Sequence, residues 1–154
     1  MYIYLVTALM LVVPLSFVVV QLLLSHSMLT AVTIIPVIAK WYVFWAVGVR
    51  LGLAGLRQMI QPRYTAKIIL GIHSEESLLL VRELGFANTA IGSVGLATLL
   101  APSWVLPTAL LGAIFYGLAG LNHLLHRSRN KMQNVAMVSD LFAGLVLAIC
   151  CLAV

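Results

Sequence analysis

The sequence predicts an all-α, polytopic transmembrane helix bundle of about five spans. Three observations predict it. Of 154 residues, 63% are hydrophobic and only 8% charged, whereas a soluble domain carries roughly 25% charged residues to cover its surface. The mean hydropathy is +1.12, so the outer surface must face something apolar, and lipid is that solvent. The apolar runs are also long enough, since about 20 helical residues cross roughly 30 Å of hydrocarbon. The length suits a single integral membrane domain over residues 1–154.

The first span is expected over about residues 1–24, a run broken only by Pro14, Ser16 and Gln21. Ser25-His26-Ser27 offers small residues at cleavage-like spacing. The run lacks a basic start and is too long for a signal peptide, so a retained helix is the reading. Met28 to Val37 is apolar but short and holds Pro36; it is an interfacial piece or the tilted start of the next helix. The second span covers about residues 38–60. Lys40, Trp41, Tyr42 and Trp45 mark one end as a headgroup interface. Tyr64 to Leu70 reads as a short surface helix ended by Gly71. Ser74 is the N-cap candidate for the third span, about residues 75–100, with Glu75 and Glu76 set against the macrodipole. A turn at Ala101 to Trp104 leads to the fourth span, about residues 103–125, and the fifth covers about residues 133–154.

Charge sets the expected orientation. Arg57, Arg63 and Lys67 make one connection basic, and Arg127, Arg129 and Lys131 another, while residues 25–37 and 100–104 hold no Lys or Arg. Alternating basic and neutral connections suit five spans, with the N-terminus cytoplasmic and the C-terminus outside. The net charge of +5 therefore reports topology. No stripe of basic residues interleaved with aromatics exists, so nucleic-acid binding is excluded. Cys150 and Cys151 are adjacent, point about 100° apart on a helix, and read as small apolar residues.

An ionisable residue inside hydrocarbon costs several kcal/mol unless paired, which makes each one a functional candidate. Arg50, Arg82, Glu83 and Asp140 qualify. At 1.5 Å per residue, Arg50 lies about 15 Å from its cytoplasmic helix end, and Glu83 and Asp140 roughly 12 Å from theirs. Helical spacing gathers Arg50, Ala54, Arg57 and Gln61 on one stripe, and Glu76, Glu83, Ala87 and Ala90 on another. Tyr116, Gly120, His123 and Arg127 form a third stripe, and Gln133, Asp140, Gly144 and Leu147 a fourth. Convergent stripes would make a polar pocket open to the cytoplasm. In it Arg50 and Arg57 face Glu83 and Asp140, with Asn88, Asn122, His123 and Ser139 nearby. The same groups could instead neutralise one another as a packing network, or relay protons. No zinc spacing exists, and no two span centres each supply a histidine, so a metal site and a haem are not expected. Gly48-x3-Gly52, Gly92-x2-Gly95 and Gly117-x2-Gly120 are expected to let helices pack closely.

Three stretches carry a family resemblance: Trp45 to Arg50 (WAVGVR), Val81 to Asn88 (VRELGFAN) with Gly92 following, and Ala119 to His123 (AGLNH) leading to Met137 to Asp140 (MVSD). In this order they resemble the DoxX-like small bacterial membrane proteins and a kindred family with an E-x-G-F-A-N signature, over about residues 38–153. The resemblance implies an antiparallel four-helix core in a bacterial inner membrane and, for some members, quinone-linked oxidation. It transfers no catalytic residue. Arg127 and Asn130 also match half of the Arg-x-x-Asn-x-x-Glu pattern of small glutathione-transferase membrane enzymes, but Asn134 stands at the glutamate position. The expected function is thus an accessory or small-ligand-binding bundle, with quinone or lipid as ligand. The alternatives are a quinone-linked oxidoreductase subunit and a small proton-coupled transporter working through Glu83 or Asp140. Expected partners are membrane lipids, a second copy of the chain, or a membrane complex.

Overall fold

A computed structural model describes residue 5 and residues 8–25, 30–126 and 128–153. Among these the chain is all-helical. Helix α1 is Ala8–Ser25, α2 is Ala31–Ile60, α3 is Tyr64–Leu70, α4 is Ser77–Ala97, α5 is Pro102–Leu125 and α6 is Lys131–Leu152. Four of them, α1, α2, α5 and α6, are long and apolar enough to cross a membrane, their most apolar windows averaging 1.7 to 2.4 in hydropathy. Helix α4 has the length, 21 residues, but Arg82, Glu83 and Asn88 make it more polar.

Three boundaries differ from expectation. Helix α2 starts at Ala31, seven residues before the expected 38, because Pro36 is accommodated inside the helix. Met28 to Val37 is thus, from Ala31 on, the start of the second helix. At 30 residues the helix is about 45 Å long at α-helical rise, longer than the hydrocarbon, so it must tilt or protrude. Ser74 is not the N-cap of α4. That position is Glu76, and the Ser74 carbonyl instead accepts from the Ser77 hydroxyl at 2.6 Å. Helix α6 begins at Lys131 because Asn130 caps it: its side chain accepts from the Gln133 backbone N–H, and the Gln133 side chain accepts from the Asn130 N–H, both at 2.8 Å. His26 and Arg127 lie outside the described residues.

In lipid, burying one aliphatic side chain on another gains little, because acyl chains are equally apolar; close approach and polar contacts must hold helices together. Both are present. Helix α4 packs on α2 backbone to backbone. A Cβ on Gly92 would meet the Gly52 nitrogen at 2.5 Å, and one on Gly95 the Gly48 nitrogen at 2.5 Å. Gly55 and Gly85 extend the seam, each Cβ position lying within 3 Å of the other's carbonyl oxygen. Helix α5 meets α6 at Gly117 and Gly144. Between these two pairs lies the core, including Tyr42, Val43, Ala46, Val47, Ala109, Tyr116, Ala143 and Leu147.

Helix α2 changes character midway. Residues Val43–Leu51 form a π-helical segment, and Gly52–Ile60 returns to α-helix. Such segments are rare and cluster at functional sites. This one ends beside Arg50. At the opposite end of the bundle, Gln21 of α1 accepts from the Trp41 indole N–H at 2.7 Å and from the Lys40 ammonium at 3.4 Å, tying α1 to α2 within an aromatic cluster that includes Phe17.

Candidate functional site

The first polar contact across the bundle joins α2 to α6. The Arg50 guanidinium donates to Asp140 at 2.6 Å and to the Ser139 hydroxyl at 3.1 Å. Both charged side chains are almost wholly enclosed, at 12% and 9% exposure. Arg50 also lies against the Tyr116 ring of α5, 4.9 Å from its centroid, where the ring face attracts a cation. The Tyr116 hydroxyl in turn donates to the Ala46 carbonyl in the π-helical part of α2. Three helices are thus locked at one level by a charge pair, a cation–π contact and a side-chain-to-backbone hydrogen bond.

A cavity of about 220 Å³ opens beside this cluster. Arg50, Arg57, Asn88, His123 and Asp140 all line it. So five of the seven site residues expected from sequence come together, from α2, α4, α5 and α6. The remaining two do not. Glu83 and Asn122 are exposed on the outside of the bundle and line no part of this cavity. Arg50 pairs with Asp140 and not with Glu83, because the glycines of α4 turn its Gly85–Gly92–Gly95 face inward and carry Glu83 outward.

Other lining groups were not singled out from sequence. Gln58 is buried and accepts from the Asn88 side-chain amide at 2.8 Å. It lies four residues after Ala54 and so shares the broad face of Arg50 and Arg57; Gln61, expected on that stripe, is instead the exposed C-cap. Helix α3 forms part of the cavity wall through Tyr64, Thr65, Ile69 and Leu70. One face of it is buried, through Thr65 and Ala66, while Ile68 stays exposed. Its position is fixed by α6, whose Asn130 and Gln133 side-chain amides donate to the Ile68, Ile69 and Leu70 carbonyls at 3.3, 3.3 and 3.1 Å. Arg57 lies over the Tyr64 ring at 3.5 Å, joining α2 to the same wall. Gly71 ends α3 with φ of 72°, a conformation glycine adopts without a Cβ clash.

One of the lining residues carries an unsatisfied buried acceptor. Asn88 is 3% exposed, and its side-chain oxygen has no hydrogen-bond partner among the described residues. Leaving a buried acceptor unmade costs about 1–3 kcal/mol. Apart from its polar groups, the lining is aliphatic and aromatic, with Leu5, Leu9, Leu53, Leu84 and Phe115 among it.

Basic side chains outside the cavity lining hold the nearby helix ends. The Arg129 guanidinium donates to the carbonyls of His123, Leu124 and His126 at 3.1, 2.8 and 2.6 Å, covering the C-terminus of α5 as a cation should. Before α4, Glu75 accepts from Arg63 at 3.2 Å and from Lys67 at 3.3 Å. The hydrogen bond from Lys67, then that from Arg63, holds the Glu75 carboxyl below its ordinary range. No group of three or more metal-ligating side chains exists among the described residues. No protein-family model, curated protein or solved structure matches the chain.

Proposed function

We propose that this is a five-span membrane protein, with α4 as the fifth span, whose cavity binds one small lipid-soluble molecule with a polar head. The observation that carries the reading is the convergence of Arg50, Asp140 and His123 on one cavity whose remaining walls are largely aliphatic and aromatic. Small-molecule sites combine such walls with a few convergent polar groups. A volume of about 220 Å³ falls just below the roughly 300–1,000 Å³ typical of drug-sized ligands. A single quinone-like ring or a lipid head group suits it, with an apolar tail leaving towards the bilayer. The chain acts as an accessory binding protein. The DoxX-like resemblance is compatible with a quinone head but does not carry the reading.

Both basic connections, around Arg63 and Lys67 and around Arg129 and Lys131, flank the cavity end of the bundle. The positive-inside rule then puts the cavity on the cytoplasmic side, with the N-terminus inside and the C-terminus outside. Asp140 is the one carboxylate lining the cavity among the described residues, so a proton-carrying role for Glu83 has no place there.

The test is extraction of the protein, purified in a mild detergent, followed by mass spectrometry of the organic phase. The reading predicts one small lipid-soluble species near equimolar with protein, and its loss in Asn88→Leu. Bulk phospholipid alone in both proteins would contradict it. Labelling of Ser128→Cys from the cytoplasmic side only is the expected topology result.

A further inference from the structure

A second concavity lies where α2 ends and α4 begins. It is an open groove of about 540 Å³, walled on one side by residues 60–64 and on the other by Leu78 and Arg82. Tyr64 lines both this groove and the ligand cavity, but Arg63 and Arg82 line only the groove. Two guanidiniums from different elements thus meet in one groove whose lining holds no carboxylate. Outside the lining, Arg63 and Lys67 both donate to Glu75, so one carboxylate answers two cations. Arg82 forms no ion pair among the described residues. Glu76 and Glu83 do not neutralise it: seven residues apart, they share a stripe about 100° round α4 from Arg82, and neither lines the groove. Two like charges in one groove repel unless an anion joins them.

We propose that this groove binds the phosphate of an anionic phospholipid from the cytoplasmic leaflet. A guanidinium pairs with phosphate through two parallel N–H···O bonds, and here one arginine comes from the α2 side and one from the α4 side. Basic pockets between membrane helices on the cytoplasmic side take anionic head groups. The depth fits a lipid. Arg63 belongs to the connection after α2, at headgroup level. Arg82 is five residues past Ser77, about 7.5 Å along α4, and its long side chain reaches back to the headgroups. The lining fits as well. Ile60 and Leu78 stand beside the arginines, and Ile60 is 76% exposed. A lipid phosphate brings acyl chains to cover them, whereas inorganic phosphate or a soluble acidic peptide leaves them bare. A zwitterionic head would set its ammonium against two arginines, so a head of net negative charge is favoured. The inference rests on α4 being a span and is independent of what the cavity binds.

The experiment mixes the full chain, purified in a mild detergent, with equal amounts of phosphatidylglycerol and phosphatidylcholine of identical acyl chains. Native mass spectrometry reads the adducts. A phosphatidylglycerol adduct should exceed the phosphatidylcholine adduct by about fivefold or more. Arg63→Gln combined with Arg82→Gln, both at exposed positions, should bring the ratio to about one. Lys131→Gln, which removes an exposed cation outside the groove, should leave it unchanged, and added inorganic phosphate should not displace the lipid. Equal adducts in the native chain overturn the proposal. So does a ratio indifferent to the double arginine change, one lowered as much by Lys131→Gln, or displacement by inorganic phosphate. A Ser103→Cys chain, with Cys150 and Cys151 changed to alanine, separates the two readings. Labelling from outside only is expected of α4 as a span. Labelling from the cytoplasmic side overturns that reading and the proposal with it; outside labelling without a lipid preference overturns the proposal alone.

Discussion

Two carboxylates, each within the first three turns of its helix, meet opposite fates. Asp140 of α6 points inward, at hydrogen-bond distance from Arg50 and Ser139. Glu83 of α4 points outward and is exposed. Their chemistry is nearly the same; what differs is the packing of the helix that carries each. Helix α6 turns its Gln133–Asp140–Gly144–Leu147 stripe to the core, where all four residues are buried. Helix α4 turns its glycines to the core, because only they allow contact with the α2 backbone, and the polar stripe goes the other way. A bundle held by backbone contact and polar pairs, without a hydrophobic drive between helices, lets the smallest residues decide direction.

The largest expected effect tests the inward member. Arg50→Ala or Asp140→Ala leaves one buried charge alone and should cost roughly 3–5 kcal/mol of unfolding free energy. Reversible unfolding in mixed micelles measures it, and a loss under about 1 kcal/mol would show that the pair is already hydrated. The seam that turns α4 comes next. Gly92→Ala and Gly95→Ala set a Cβ within 2.5 Å of backbone nitrogen, which cannot move aside as a side chain would. Each should lose about 1–3 kcal/mol. Gly52→Ala, whose Cβ meets nothing within 4 Å, should be neutral or gain up to about 1 kcal/mol from helix propensity. If all three behave alike, close packing is not what orients α4.

Smaller effects sharpen the outward side. Glu83→Gln should change stability by less than about 0.5 kcal/mol. A loss as large as that of Asp140→Ala would mean Glu83 is buried. The exposed Glu75 contacts should give a still smaller, salt-sensitive signal. The Glu75 carboxyl is held low by Lys67 and Arg63, so its stabilising contribution is complete above the ordinary glutamate value of about 4.3. It fades as pH falls through the lowered value of the folded protein. Thermal melts of the native chain and of Glu75→Gln should therefore converge on acidification, and converge sooner at high salt.

Much of this was legible in the residues. Composition indicated an all-helical chain for an apolar solvent, and helical spacing put Arg50, Arg57, His123 and Asp140 towards one place. The glycine pairs foretold close packing. Depth was legible for Glu83, but direction was not, since an α-periodic stripe says which residues share a face and not which face meets a neighbour. The glycine face of α4 held that information, and its conflict with the Glu83 stripe was the signal to weigh. Gln58 was within reach of the same spacing argument that found Arg57. The role of α3 was not, because seven residues are too few for periodicity to separate a surface turn from a cavity wall. Its position depends on Asn130 and Gln133, more than 60 residues away. Pro36 signalled a break that the observed helix absorbs, which explains the earlier start of α2.

A pair of double-mutant cycles tests the central claim most directly. Unfolding free energies would be measured for Arg50→Met, Asp140→Leu and their combination, and for Arg50→Met, Glu83→Leu and theirs. An inward Asp140 and an outward Glu83 predict a coupling of about 2 kcal/mol or more for the first pair and within about 0.5 kcal/mol of zero for the second. Equal couplings, or a larger one for Glu83, would contradict the account.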